Sequence, residues 1–170
     1  EVGKALCMLG EISIELGDYE QAEEYLNNSL MLFKQRHVTP FLVDAEVNAI
    51  RLYLSWLSPH SKILALKHAY AALAAARIVE DAYSMVDGLF YASITEASCG
   101  TANKALELAN ELEPLAKRNG NPLDTYYAAW AKAIAHNALH QNTLSKPLFV
   151  QAYNVAEQIK HELNKHKIGL

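Results

Sequence analysis

Between residues 5 and 26 the chain sets small and large apolar residues at fixed offsets on either side of one tight turn, and no other segment limits the fold as much. Leu6, Leu9, Gly10 and Ile14 fall on one stripe of a 3.6-residue period, which predicts a helix with a continuous inner face. Gly10 leaves room on that face for a second helix to come close. Gly17-Asp18-Tyr19 then stops the first helix and starts the next: glycine tolerates positive φ at a C-terminal cap, and Asp18 can accept from the first free N–H groups of the second helix. Gln21, three residues after Asp18, reads as a capping box. Ala22, Leu26, Ser29 and Leu30 put small and medium residues on the face that meets the first helix.

The pattern repeats, in degraded form. Ala22, Ala65, Ala105 and Ser145 occupy comparable places at the start of a second helix, separated by 43, 40 and 40 residues. The residues four and seven positions on are Leu26 and Ser29, Ala69 and Ala72, Ala109 and Leu112, and Phe149 and Ala152. Gly100 precedes Ala105 by the same five residues as Gly17 precedes Ala22. Self-similarity at such a period is the mark of a stacked-repeat architecture.

The first unit, with Leu9-Gly10, Gly17-Asp18-Tyr19 and Ala22 at their proper spacing, resembles a tetratricopeptide (TPR) repeat. It departs from the family pattern at Ser29, the last small position, and at Lys34, where the customary proline is absent. Repeats two to four lack the Leu-Gly pair, and the period exceeds the ~34 residues of the standard unit. The resemblance implies an all-α chain, an α-solenoid of about four antiparallel helical hairpins in a right-handed superhelix. The hairpins span about 3–38, 41–79, 81–119 and 122–165 of one domain. Its usual work is binding proteins or peptides rather than catalysis. The elongated repeats also resemble those of bacterial LuxR/MalT-type activators and TPR-bearing cyclases, which implies the interaction or sensor part of a multidomain regulator. A small-molecule sensing domain and a self-association module are the alternatives.

Family geometry places the first helix of each hairpin along a concave groove. The groove residues it implies are Lys4, Met8 and Glu11 in the first repeat, Arg51 in the second, Tyr91 in the third, and Tyr127 and Trp130 in the fourth. Tyr, Trp and Arg dominate binding energy at interfaces. For Tyr127 and Trp130 packing inside the hairpin competes with the groove and is the favoured placement, as it is for Trp56. The clamp for chaperone C-terminal carboxylates is disfavoured, because Cys7 and Glu11 stand where its Lys and Asn would be.

Helix signals place eight helices at about 3–16, 20–35, 41–57, 60–78, 81–97, 102–118, 123–139 and 144–165. Thr39-Pro40 and Ser58-Pro59 each offer a capping hydroxyl and a proline for a first turn, Asn119-Gly120-Asn121-Pro122 is a stop followed by a start, and Ser145-Lys146-Pro147 tolerates proline in a first turn. Pro114 inside the sixth helix predicts a kink or an early end. The 170 residues are 51% hydrophobic, much of it Ala and Leu, yet no run reaches the ~18 apolar residues of a membrane span. The chain begins at Glu1 without a signal peptide and reads as a piece of something longer.

The remaining residue types argue against chemistry. A net charge of −4, with one basic cluster from Lys160-His161 to Lys165-His166-Lys167, leaves no basic face for nucleic acid; the cluster reads as a solvated helix end. Cys7 and Cys99 are isolated thiols, which suggests a reducing, cytoplasmic setting and no disulfide framework. His136 and His140 share a helical face but have no third ligand nearby, and Glu20, Glu23 and Glu24 crowd an exposed first turn. No phosphate loop or nucleophile signature occurs. The expectation is a non-enzymatic module without cofactor or metal, with a protein or peptide partner, no nucleic-acid or membrane contact, and a capacity to form homo-oligomers through its end hairpins.

Overall fold

The computed structural model describes residues 1–36, 39–56 and 58–168, with 36, 39 and 163–168 described by backbone alone. The capping hydroxyl expected at Thr39 and the basic side chains at 165–167 therefore lie outside the described side chains. Among the described residues there are eight helices and no strand: α1 Val2–Leu16, α2 Tyr19–Arg36, α3 Thr39–Ser55, α4 Ser61–Val79, α5 Ala82–Cys99, α6 Ala102–Asn119, α7 Pro122–Ala138 and α8 Asn142–Ile168. Each span lies within three residues of the sequence expectation. None of these helices is long and apolar enough to cross a membrane.

The punctuation explains most of the ends. Gly17 and Gly120 close α1 and α6 in the left-handed conformation, at φ 77° and 66°, where a side chain would be strained. Asn121 caps α7, accepting from the Leu123 N–H, and Pro122 opens its first turn. Asp81 caps α5 through the Ser84 N–H.

Four local expectations are corrected. Helix α6 continues through Pro114 to Asn119: the ring deletes one backbone bond, but Leu112 and Ala116 on either side are buried in the core. Ser58 does not start α4. The Ser61 hydroxyl instead accepts from the Ser58 N–H and donates to the Trp56 carbonyl, so a turn occupies 58–60 and the helix starts after it. Pro147 lies inside α8 rather than at its opening, since that helix begins at Asn142. Gln21 donates its amide to Glu24 rather than reaching back to Asp18.

Consecutive helices pack as hairpins, α1 on α2, α3 on α4, α5 on α6 and α7 on α8, and each second helix packs on the first helix of the next hairpin. First helices also touch their successors, α1 with α3, α3 with α5 and α5 with α7. Among the described residues the second helices do not pack on one another; the exposed Arg77–Glu111 ion pair spans from α4 to α6. The result is two layers of helices, stacked hairpin on hairpin, in the manner of a solenoid.

The repeat register is visible in burial. Ala22, Ala65, Ala105 and Ser145 are all buried, and so are the residues four and seven on, except the half-buried Phe149. Ala and Ser at these places let the two helices of a hairpin approach. Gly10 does the same from α1: a Cβ there would stand 2.7 Å from Cγ of Leu26. The buried stripe of α1 is Gly3, Cys7, Gly10 and Ile14. Leu9, expected on the inner stripe, instead faces outward with Val2, Ile12 and Leu16 because it sits one position, about 100° of rotation, before Gly10.

Two apolar clusters form the core, one across α1–α4 around Leu26, Leu30, Phe33 and Leu52, the other across α3–α7 around Ile50, Leu73, Leu89 and Leu112. Leu42 and Leu54 of α3 pack against both. Full burial of a leucine or phenylalanine of these clusters is worth about 2 kcal/mol, and α3, shared by the two, joins α1 through α7.

Candidate functional site

Three first helices present a side-chain row each to a common cavity of about 380 Å³, to which α7 adds one residue and α2 adds Phe33. Helical spacing sets the rows: Lys4, Met8 and Glu11 on α1, Asp44, Asn48 and Arg51 on α3, Tyr83, Asp87 and Tyr91 on α5, with Tyr127 from α7. Residues three or four apart share a face, so every row is one stripe of its helix.

Six of the seven groove residues named from the sequence line this cavity: Lys4, Met8, Glu11, Arg51, Tyr91 and Tyr127. Trp130 is set apart from it. Three residues beyond Tyr127, it turns toward α8, where its ring meets Phe149 edge-on at 5.4 Å and stacks with Tyr126 at 5.9 Å. Trp56, read as packing, stacks on Tyr19 and Tyr53. Tyr127 does both jobs: its ring lies parallel to Phe90 at 4.1 Å, and it forms part of the cavity wall.

Polar contacts organise one side of the cavity. The Arg51 guanidinium donates to Glu11 at 2.6 Å, to Glu15 at 2.8 Å and to Asn48 at 2.9 Å, tying α3 to α1. Asn48 in turn donates to the Cys7 sulfur at 3.3 Å, and burial pushes that thiol up from its ordinary pKa. The Lys4 ammonium stands 3.8 Å over the Phe41 ring centroid, a cation–π contact.

The other side is acidic and aromatic. Burial pushes the Asp87 carboxyl up to about 6; the Tyr83 phenol partly offsets this, while Asp44, Asp124 and Asp81 add to it. Asp44 is raised by burial and by the charge of Asp81. The Tyr83 phenol is pushed up to about 12, first by the Asp87 charge and then by burial. Tyr127 is raised mainly by burial, and Tyr91 likewise, against a lowering by Arg51.

Asp44, Tyr83 and Asp87 were missed in the sequence. A carboxylate at 87 inside the apolar run Met85-Val86-Asp87-Gly88-Leu89-Phe90, flanked at four-residue spacing by Tyr83 and Tyr91, is the signal that could have found them.

A second cavity, of about 730 Å³, opens between α2, α3 and α4, lined in part by Glu46, Tyr53 and His68. It is larger, but its buried polar groups are paired within it: Glu46 with His68 and Lys34, and Tyr53 donates to Glu23 at 2.6 Å. His136 is engaged with Gln141 at 2.7 Å, and His140 occupies a left-handed turn after α7. Among the described residues no three His, Cys, Asp or Glu side chains are grouped to hold a metal ion.

Comparison with protein-family models, with curated proteins and with solved structures gives no match to this chain.

Proposed function

We propose that the layer of first helices is a binding surface for an extended segment of a partner protein, in a TPR-like solenoid that serves as an interaction module. One observation carries this reading: a single cavity draws its wall from the first helices of all four hairpins. A ligand lying along it touches several repeats at once, and arrays of this kind bind through such composite surfaces. Exposed Met8 and the rings of Tyr91 and Tyr127 supply contact area, while Lys4, Arg51 and the carboxylates supply polar direction. The cavity's lining sets Lys4, Glu11, Asp44, Arg51 and Asp87 among the rings, whereas a small-molecule sensor would call for a mainly apolar pocket with few polar groups. Net charge of −4 and the absence of a basic row in the groove disfavour nucleic acid.

Site-specific photo-crosslinking tests the reading. A photoreactive phenylalanine analogue replaces Met8 in the groove or Tyr153 on the far side of α8, and the intact chain is incubated with extract from its source cells. Adducts with one protein from position 8 and none from 153 support the groove. Adducts from 153 alone move the binding surface to the other layer.

Self-association is a second reading, favoured by the outward stripe of α1, where Val2, Ile12 and Leu16 are more than half exposed. Sedimentation velocity over a hundredfold concentration range checks it, and a monomer throughout removes it.

A further inference from the structure

Two carboxylates in the groove have no counter-charge. Asp87 is only 7% exposed, yet it lines the cavity, and Asp44 lines it from the neighbouring helix. Among the described residues no Lys, Arg or His forms an ion pair with either. The polar neighbour of Asp87 is the Tyr83 phenol, and its charged neighbours, Asp44, Asp81 and Asp124, are all acidic. The cavity's own cations are engaged elsewhere: Arg51 with Glu11 and Glu15, Lys4 over Phe41.

A buried carboxylate without a counter-ion is costly even with a phenol beside it, and a cation entering the site recovers that cost at a low effective dielectric. The surrounding walls suit a cation as well. Tyr83, Tyr91 and Tyr127 bring three rings to the same cavity, and ring faces attract ammonium and guanidinium groups. An anionic ligand would meet Asp44 and Asp87, and an apolar one would seal Asp87 away from water without an ion to pair with.

We propose that the groove takes a basic side chain, lysine or arginine, of its bound peptide between Asp44, Asp87 and the three tyrosines. This rests on the peptide-binding reading and adds what the peptide must carry. A side chain rather than a free amine is indicated because a small alkylammonium fills only part of the roughly 380 Å³ and leaves the rest of the lining, which reaches Met8 on α1, without contact area.

Panning a random dodecapeptide library on phage against the intact chain tests the proposal with no ligand sequence assumed. A D44N/D87N variant, shown by circular dichroism to be folded, is panned in parallel. The expected result is enrichment of Lys or Arg at one position on the parent and none on the variant. A synthetic consensus peptide should then lose at least tenfold in affinity when that residue becomes norleucine, with no such loss on the variant. Should the double variant fail to fold, D44N alone serves, with an expected loss of about threefold for the basic peptide. Peptides recovered without a basic preference overturn the proposal and leave the groove as a peptide site. No recovery above background removes both. Cadaverine binding as tightly as the consensus peptide also overturns it, by assigning the site to a free amine.

Discussion

Nδ1 of His68 lies 2.5 Å from Oε2 of Glu46, and both side chains are more than nine-tenths buried. Lys34 stands 3.1 Å from the other carboxylate oxygen, without hydrogen-bond geometry. Three helices, α2, α3 and α4, thus meet at one buried carboxylate. Removing one member of a buried pair strands the other, at a cost of about 3 kcal/mol. Glu46→Ala is expected to lower stability by that order in urea denaturation. In a double-mutant cycle with His68→Ala the coupling should exceed about 1 kcal/mol. Additive losses would mean that the pair does not act as a unit.

Gly10→Ala should destabilise, although alanine is the better helix former by about 1 kcal/mol. The added Cβ would come within 2.8 Å of two side-chain carbons of Leu26, which is itself almost wholly buried and has no space to yield. Overpacking of this kind costs about 1–3 kcal/mol, so the net effect is a loss of up to about 2 kcal/mol. A melting temperature at or above the parent's would show that the α1–α2 contact is looser than the geometry implies.

Glu80 and His140 both end helices at φ 59°, a conformation that side chains resist. Glu80→Gly and His140→Gly should each stabilise by about 0.5–1 kcal/mol, or roughly 2 °C in Tm for a chain of this size. Differential scanning calorimetry of the two variants and their combination checks this; a fall in Tm for either would assign its side chain a stabilising contact.

The raised carboxyl of Asp87 makes a signed prediction. Its pKa is about 6 when folded against 3.8 as the ordinary value, so the folded state holds a proton that the unfolded state releases between those values. The protonated group's stabilising contribution is intact below pH 4 and is lost as pH rises through 6. Asp87→Asn, which keeps an acceptor for Tyr83, should therefore stabilise at pH 7.5 by on the order of 2 kcal/mol and have little effect at pH 4. The other groups facing this carboxyl are Asp44, Asp81, Asp124, Tyr83 and Tyr91, and the substitution leaves them in place. Equal effects at both pH values would remove the link to ionisation.

Helix number and hairpin boundaries were legible because they rest on local chemistry: Gly17, Gly120, Asn121 and Pro122 act within a turn of where they stand. The repeat anchors were legible because close helix packing demands small residues at fixed spacing, as at Ala65 and Ala105. Leu9, Pro114 and Ser58 were misread because their outcomes depend on rotation about a helix or on burial set by distant segments. The groove was half legible. Arg51, Tyr91 and Tyr127 stand out by residue type, whereas Asp44 and Asp87 gain meaning only when α3 and α5 lie side by side. Glu46, in the middle of α3, and Glu96, in the last turn of α5, are likewise helical acids that look solvated in sequence and prove buried, with Lys34 and His68 meeting the first and Tyr70 and the Thr101 N–H the second.

Among the described residues the first helices pack on their successors while the second helices meet only through the exposed Arg77–Glu111 pair, so a change in the spacing between hairpins disturbs the layer of first helices more than the layer of second ones. Under the binding reading proposed above, a guest spanning the first helices would work as a tie bar. Its occupancy and the spacing of the hairpins would then be one mechanical variable, so that a change in either would be felt as a change in the other.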